Sequence, residues 1–260
     1  MATLQGGVDL QNALNNLLDW ANKWQMEFNP GKCKVVHFGR SNPNINYFMN
    51  GTVVGKSDCE KDIGVYVSKD NKPSIHCSKV AAKENVVLGM MARGFHYRDK
   101  HTWIKLYKVY VRPHLEFASP AWNPWLQKDI DTLEKVQKRA VNMCSGLTGQ
   151  SYDQKLRELG LDSLYLRRKK ADLIMVWKVI HKYDDIRESD IFDRLTMYTQ
   201  RDTRASADPL NLRTSLTRLD IRKNFFTNKV IREWNALPLD IKSIPKLDAF
   251  KTKLNSLVIS

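Results

Sequence analysis

From Ser74 to Lys182 the apolar residues recur at intervals of three and four, which restricts this part of the chain to amphipathic helices packed on one another. Ser74–Arg93 carries Ile75, Val80, Val86, Val87, Met90 and Met91 at such spacing. His101–Phe117 does so through Trp103, Ile104, Leu106, Tyr107, Tyr110 and Val111, with Pro113 as a breaker or kink near its end. Lys128–Cys144 repeats the pattern through Ile130, Leu133, Val136, Ala140, Val141 and Met143. Ser151 reads as the N-cap of a short helix to Leu159, and Asp162 or Ser163 as the start of another to about Lys182. Ala118–Leu126, with two prolines and two tryptophans, reads as an ordered loop.

Upstream of Ser74 the period changes. Val8–Glu27 is helical, ending at Phe28-Asn29-Pro30-Gly31. Short runs follow at Lys34–Phe38, Tyr47–Met49, Thr52–Val54 and Asp62–Val67. Asn50-Gly51 between two of them is a strong hairpin signal. The fold class is therefore α+β, mostly α: one helix with a small antiparallel sheet, then a helical bundle, then a basic helical C-terminal region. The expected divisions are 1–73, 74–149 and 150–260. Within the last, 184–220 is polar, with Arg201, Arg204, Arg213 and Arg218, and reads as poorly ordered. Ile221–Trp234 and Leu247–Leu257 are again helical.

The chain has 42 Lys and Arg against 28 Asp and Glu, a net charge of +14. Residues 1–75 contribute +1, 76–150 contribute +6 and 151–260 contribute +7. Such a balance suits a polyanion partner. The four cysteines are scattered with no matching histidine spacing, which argues against a zinc site and against a disulfide framework. The first residues lack a secretory pattern and no run is apolar enough to span a membrane, so an intracellular protein is expected, nucleus and cytoplasm not being distinguished.

Several short motifs stand in a meaningful order. Leu17-Leu18-Asp19-Trp20, Trp24-Gln25-Met26 and Phe28-Asn29-Pro30-Gly31-Lys32-Cys33-Lys34 come first, then Asp62-Ile63-Gly64-Val65. Tyr110-Val111-Arg112-Pro113-His114-Leu115-Glu116-Phe117-Ala118-Ser119, Leu133–Ala140, Leu159-Gly160-Leu161 and Trp234-Asn235-Ala236-Leu237-Pro238 follow. This series resembles the C-terminal part of the reverse transcriptases of non-LTR retrotransposons (Jockey-like and related LINE elements). The resemblance covers almost the whole chain from about residue 8. It implies the end of a palm with a primer-grip hairpin, a thumb and a C-terminal extension. The intact enzyme would copy RNA into DNA with Mg²⁺. The Phe/Tyr-Ala-Asp-Asp box that holds its metal ions is not in this sequence, so this chain is expected to need no cofactor and to be catalytically silent. Tyr183-Asp184-Asp185 imitates the box by letter but follows a helical run, and reads as a solvated helix end. A sheet edge left without the palm strands would be an aggregation liability.

The resemblance gives Lys32 the place of a proton donor to pyrophosphate in the intact enzyme; otherwise it is a solvated turn lysine. Ile63, Gly64, Val65 and Tyr66 fall at the primer grip, where a strand glycine permits close approach of a phosphate or merely marks a bulge or turn. Lys79, Lys83, Arg93, Lys105, Lys108 and Arg112 fall on two thumb-like helices suited to backbone contacts with RNA or an RNA–DNA hybrid. Lys105 and Arg112, seven apart, would share one helical face. Arg167, Arg168, Lys169 and Lys170 form a run that reads either as an RNA-contact patch or as a charged helix face. Trp20, Trp24, Trp103, Trp122, Trp125 and Trp234 read as core. The alternative to a truncated polymerase is a non-enzymatic nucleic-acid-binding or interaction protein derived from a retroelement fragment.

Overall fold

The computed structural model describes residues 4–39, 41–195 and 208–257. They are mostly helical, with three small strand pairs. Among them no helix is long and apolar enough to cross a membrane. The chain divides into two compact units, 1–76 and 77–260.

In the first unit, helix α1 (Leu4–Lys23) turns Leu18 and Ala21 inward. Leu18 packs with Tyr47, Met49 and Val54 in a small core. Asn29 caps a short 3₁₀ turn, Pro30–Lys32, by accepting from the Gly31 N–H at 2.9 Å. The sheet is not wholly antiparallel. β1 (Lys34–Val36) pairs in parallel with β4 (Gly55–Ser57), because the chain between them makes its own hairpin from β2 (Phe48–Met49) and β3 (Thr52–Val53). Asn50 and Gly51 at its tip both have positive φ, 48° and 73°, as a type I′ turn requires. Gln11 of α1 gives Phe48 a substitute strand partner: its amide accepts from the Phe48 N–H and donates to the Phe48 carbonyl, both at 2.9 Å. The expected bare edge is thus covered at that residue.

Asp62–Val67 is not one strand. β5 (Cys59–Asp62) and β6 (Val65–Ser68) are antiparallel and joined by Ile63-Gly64, with φ of 42° and 89°. Glycine adopts this region freely, whereas a β-branched residue does so at a cost. The pattern of alternate apolar residues runs through the turn without marking it.

In the second unit, α2 (Ser74–Gly94), which starts within the first, is followed by α3 (Lys100–Tyr110), α4 (Arg112–Glu116), α5 (Ser119–Trp122) and α6 (Gln127–Asn142). Asp99 caps α3 through the N–H groups of His101 and Thr102. Pro113 sits in the first turn of α4, where its missing N–H costs nothing, so the break falls at Val111 and not beyond. The expected loop Ala118–Leu126 contains the short helix α5, entered through Ala118 at φ 50°. Trp103 donates to the Ala140 carbonyl at 2.8 Å and Tyr107 to Gln137 at 2.7 Å, which locks α3 to α6.

α7 (Tyr152–Glu158) begins with a reciprocal capping box between Ser151 and Gln154. α8 (Leu164–Ile180) is capped by Ser163. Short helices α9 (Asp220–Lys223) and α10 (Phe226–Asn235) divide the expected Ile221–Trp234 helix; α11 (Leu239–Lys242) and α12 (Leu247–Ser256) complete the chain. Val176, Trp177 and Ile180 of α8 form a core with Val230, Ile231 and Trp234 of α10, Ile241, Phe250 and Leu254. Phe192 and Leu212 join the same core. Parts of 184–220 are thus tied to the helices at Phe192 and Leu212, while Leu216 and Leu219 are exposed. Arg194 bridges Leu212 in antiparallel register, and Asn235 holds both backbone groups of Leu212 at 2.8 and 2.9 Å. The sparse apolar residues of this segment suffice because the helices supply its hydrogen bonds. Arg201 and Arg204 lie outside the described residues; Arg213 and Arg218 lie within them.

Candidate nucleic-acid interface

Along α2, Lys79, Lys83, Val86, Met90 and Arg93 are all exposed. Their separations are four, three, four and three residues, so at 100° per residue they share one stripe, about 21 Å long at 1.5 Å per residue. The one acid on this helix, Glu84, is completely buried, with its carboxylate 3.2 Å from Nδ1 of His114. Burial pushes the Glu84 carboxyl above its usual range. The exposed charge on the stripe is therefore wholly positive, with an apolar centre between its cations.

The other expected cations divide. Lys105 is exposed on α3 and Lys108 is half-buried. Arg112 belongs to α4, a different helix from Lys105, so the two do not share a continuous face. Arg112 is half-buried with Nε 4.0 Å from Glu116, and burial, then the neighbouring Arg167, depresses its guanidinium pKa.

The run Arg167–Lys170 is not a solvent-facing patch. Arg167 grips Glu116 through Nε and, at 2.9 Å, through Nη2. Arg168 is 1% exposed. Lys169 lies 3.4 Å from Glu233 and 5.0 Å from the Tyr165 ring centroid. Lys170 is buried and donates to Asp162 at 2.7 Å. The physical reason is that α8 has neighbours on several sides, and four consecutive residues circle the helix, so some must point inward. Of the acids that neutralise the run, Glu116 and Glu233 lie more than fifty residues from it in sequence, while Asp162 stands just before the α8 N-cap, eight residues from Lys170.

On the first unit, Lys32 is exposed at the end of its 3₁₀ turn. Ile63 is 87% exposed at the tip of the β5–β6 turn. The Tyr66 N–H donates to Nδ1 of His76 at 3.2 Å, and burial depresses the His76 pKa to about 4. Trp20 on α1 and Trp24 just past its end, both expected in the core, are 49% and 63% exposed. With Leu10 and Leu17 they form an apolar stripe that periodicity alone could not distinguish from a buried one. Trp125 is half-buried, while Trp103, Trp122 and Trp234 are core residues as expected.

Tyr183-Asp184-Asp185 follows the end of α8. Asp184 is occupied by Lys178 at 3.2 Å, whose ammonium also lies over the Tyr183 ring. A carboxylate paired with a lysine in a helix-terminal turn does not suit a two-metal centre. Among the described residues no cluster of three His, Cys, Asp or Glu could hold a metal ion.

No protein-family model, curated protein or solved structure matches this chain.

Proposed function

We propose that this chain is a non-sequence-specific nucleic-acid-binding module of the kind that forms the template–primer-binding end of a non-LTR retrotransposon reverse transcriptase. Its partner is RNA or an RNA–DNA hybrid, held by the phosphate backbone. The observation that carries the reading is the α2 stripe, in which Lys79, Lys83 and Arg93 stand on one exposed face with no exposed acid on the helix. Phosphate contacts of this kind need charge and reach but no base-reading geometry. The intact enzyme of this family uses Mg²⁺; Asp184 of the Asp-Asp pair that imitates its box is engaged by Lys178, so no metal step is assigned to this pair. A second reading, a protein-interaction module derived from a retroelement, draws on the exposed Leu10, Leu17 and Trp20 of α1 and Trp24 just past its end.

The test is a salt titration of a labelled RNA–DNA hybrid followed by fluorescence anisotropy. Three phosphate contacts predict a log–log slope that Lys79→Gln, Lys83→Gln and Arg93→Gln together reduce by about three units. Hybrids of different sequence should weaken equally. A slope unchanged in the triple variant would remove α2 from the interface, and binding indifferent to salt would leave the charge as solubilising surface.

A further inference from the structure

A cavity of about 320 Å³ opens between α4, α5, α8 and α12, entirely within the second unit. Glu116, Ser119, Arg167, Arg168, Lys251 and Asn255 line it, with Lys170 beside them and Ala171 and Ile174 as an apolar wall. The cations around it are matched almost one to one. Arg112 and Arg167 share Glu116, Lys169 has Glu233, Lys170 has Asp162, Lys229 has Asp172 and Lys251 has Asp248.

Arg168 is the exception. It is 1% exposed, and none of its three guanidinium nitrogens has a hydrogen-bond partner. The nearby carboxylates have other donors. Glu116 serves Arg167, Asp172 accepts from Asn123 at 2.7 Å and pairs with Lys229, both through Oδ2, while its buried Oδ1 has no hydrogen-bond partner, and Glu134 accepts from Tyr152 and two backbone N–H groups. A buried cation without hydrogen bonds is expensive, and a planar guanidinium is shaped to hold two oxygens of one anion.

We propose that this cavity is a binding site for a phosphomonoester dianion, with Arg168 as its buried anchor and Lys251, Ser119 and Asn255 as the further donors. Two negative charges suit the unmatched Arg168 together with Lys251, whose pairing to the exposed Asp248 is weak at 3.4 Å. The volume exceeds what a bare oxyanion fills and lies at the lower end of small-molecule sites. The apolar wall therefore has a pentose-sized group to meet. This site is separate from the α2 stripe and does not depend on it.

The experiment uses the full chain in calorimetry and thermal unfolding, with inorganic phosphate and AMP as probes, against adenosine and against sodium chloride at equal ionic strength. Phosphate and AMP should bind and raise the unfolding temperature, and adenosine should do neither. Arg168→Met, which keeps volume and deletes charge, should weaken AMP about tenfold or more, as loss of a bidentate charged contact does. Lys251→Ala should weaken it several-fold. In both variants the salt slope for RNA–DNA hybrid should stay at its original value, which separates this site from the interface proposed above. Tighter binding of a 5′-phosphorylated oligonucleotide than of its 5′-hydroxyl twin would place the dianion at a strand end; AMP binding without that difference would place it on a free nucleotide. AMP and adenosine behaving alike would overturn the proposal. So would an AMP affinity unchanged in Arg168→Met with its tryptophans still buried, because Arg168 would then be only structural. Should Arg168→Met fail to fold, Lys251→Ala decides: unchanged affinity for AMP there refutes the site.

Discussion

Glu134→Gln offers a sharp test of how the second unit is held together. Glu134 of α6 is 8% exposed. Its Oε1 accepts from the Tyr152 hydroxyl at 2.5 Å and from the Leu164 N–H at 3.3 Å; its Oε2 accepts from the Tyr165 N–H at 3.3 Å. One carboxylate thus ties α6 to α7 and caps the first turn of α8. Glutamine preserves the shape but replaces one oxygen with an NH₂ group, which must face either a backbone N–H or the side where Tyr152 and Leu164 donate. At least one charge-assisted hydrogen bond is lost in either orientation, about 1.5–3 kcal/mol. Loss of negative charge at the α8 N-terminus adds about 0.3–1 kcal/mol. Removing a carboxylate near Arg168 acts in the same direction. The expected loss is about 3 kcal/mol, equivalent to a fall of roughly 6–12 °C in the unfolding temperature of a domain this size. Urea unfolding followed by tryptophan fluorescence reports on this unit, since Trp103, Trp177 and Trp234 are all buried there. A double-mutant cycle with Tyr152→Phe should show coupling of about 1 kcal/mol or more, because the two side chains share a bond. A loss for Glu134→Gln within about 0.5 kcal/mol, the range of an ordinary surface change, would refute the cross-linking role.

Two further outcomes concern the first unit. His76 is neutral in the fold down to about pH 4, chiefly through burial and then through Lys61, while the unfolded chain takes up its proton near pH 6.5. Stability should therefore be full above about pH 6.5 and fall as the pH drops towards 4, by up to about 3 kcal/mol; in the His76→Asn variant, urea unfolding across this range should lack that component, and equal pH profiles would exclude it. Ile63→Asn at the β5–β6 turn should raise the unfolding free energy by about 1 kcal/mol, because asparagine tolerates positive φ better than isoleucine; a lower unfolding free energy would show that the exposed Ile63 side chain contributes more than its backbone costs.

Helical elements were largely legible because their signals are local. Ser151 and Ser163 cap as their residue types require, and the 3–4 spacing of α3 and α6 is the spacing of their buried sides; on α2, by contrast, Ile75, Val86 and Met90 of the apolar pattern are exposed, and the buried side is Cys77, Ala81, Glu84, Leu88 and Met91. The Asn50-Gly51 hairpin was equally readable. What escaped depends on distant partners. The parallel pairing of β1 with β4 joins residues about twenty apart, and nothing in either strand specifies direction. The Ile63-Gly64 turn lacks the Asn or Asp that announces such turns. For the candidate site, charge composition pointed to a polyanion without telling which cations are available. The exposed Lys79, Lys83 and Arg93 and the sequestered Arg167–Lys170 look alike in sequence. The difference lies in Glu116 and Glu233, brought to α8 from elsewhere in the chain, and in Asp162 just before the α8 N-cap, which reaches back to Lys170.

The position of α8 also bears on how such a chain can be inherited in pieces. Its neighbours come from both directions: α4, α5 and α6 precede it, and α10 and α12 follow. A recombination breakpoint at residue 150, though it falls in a turn between helices, would separate Arg167 from Glu116, Asp162 from Gln137 and Asp172 from Asn123. Exchange with a diverged relative at that point could leave Arg167 without Glu116 and the buried Asp172 without the Asn123 amide, and a buried polar group deprived of its partner costs about 1–3 kcal/mol. The segment 77–260 should thus pass between lineages as one block, with crossovers tolerated near residue 76 and selected against within it.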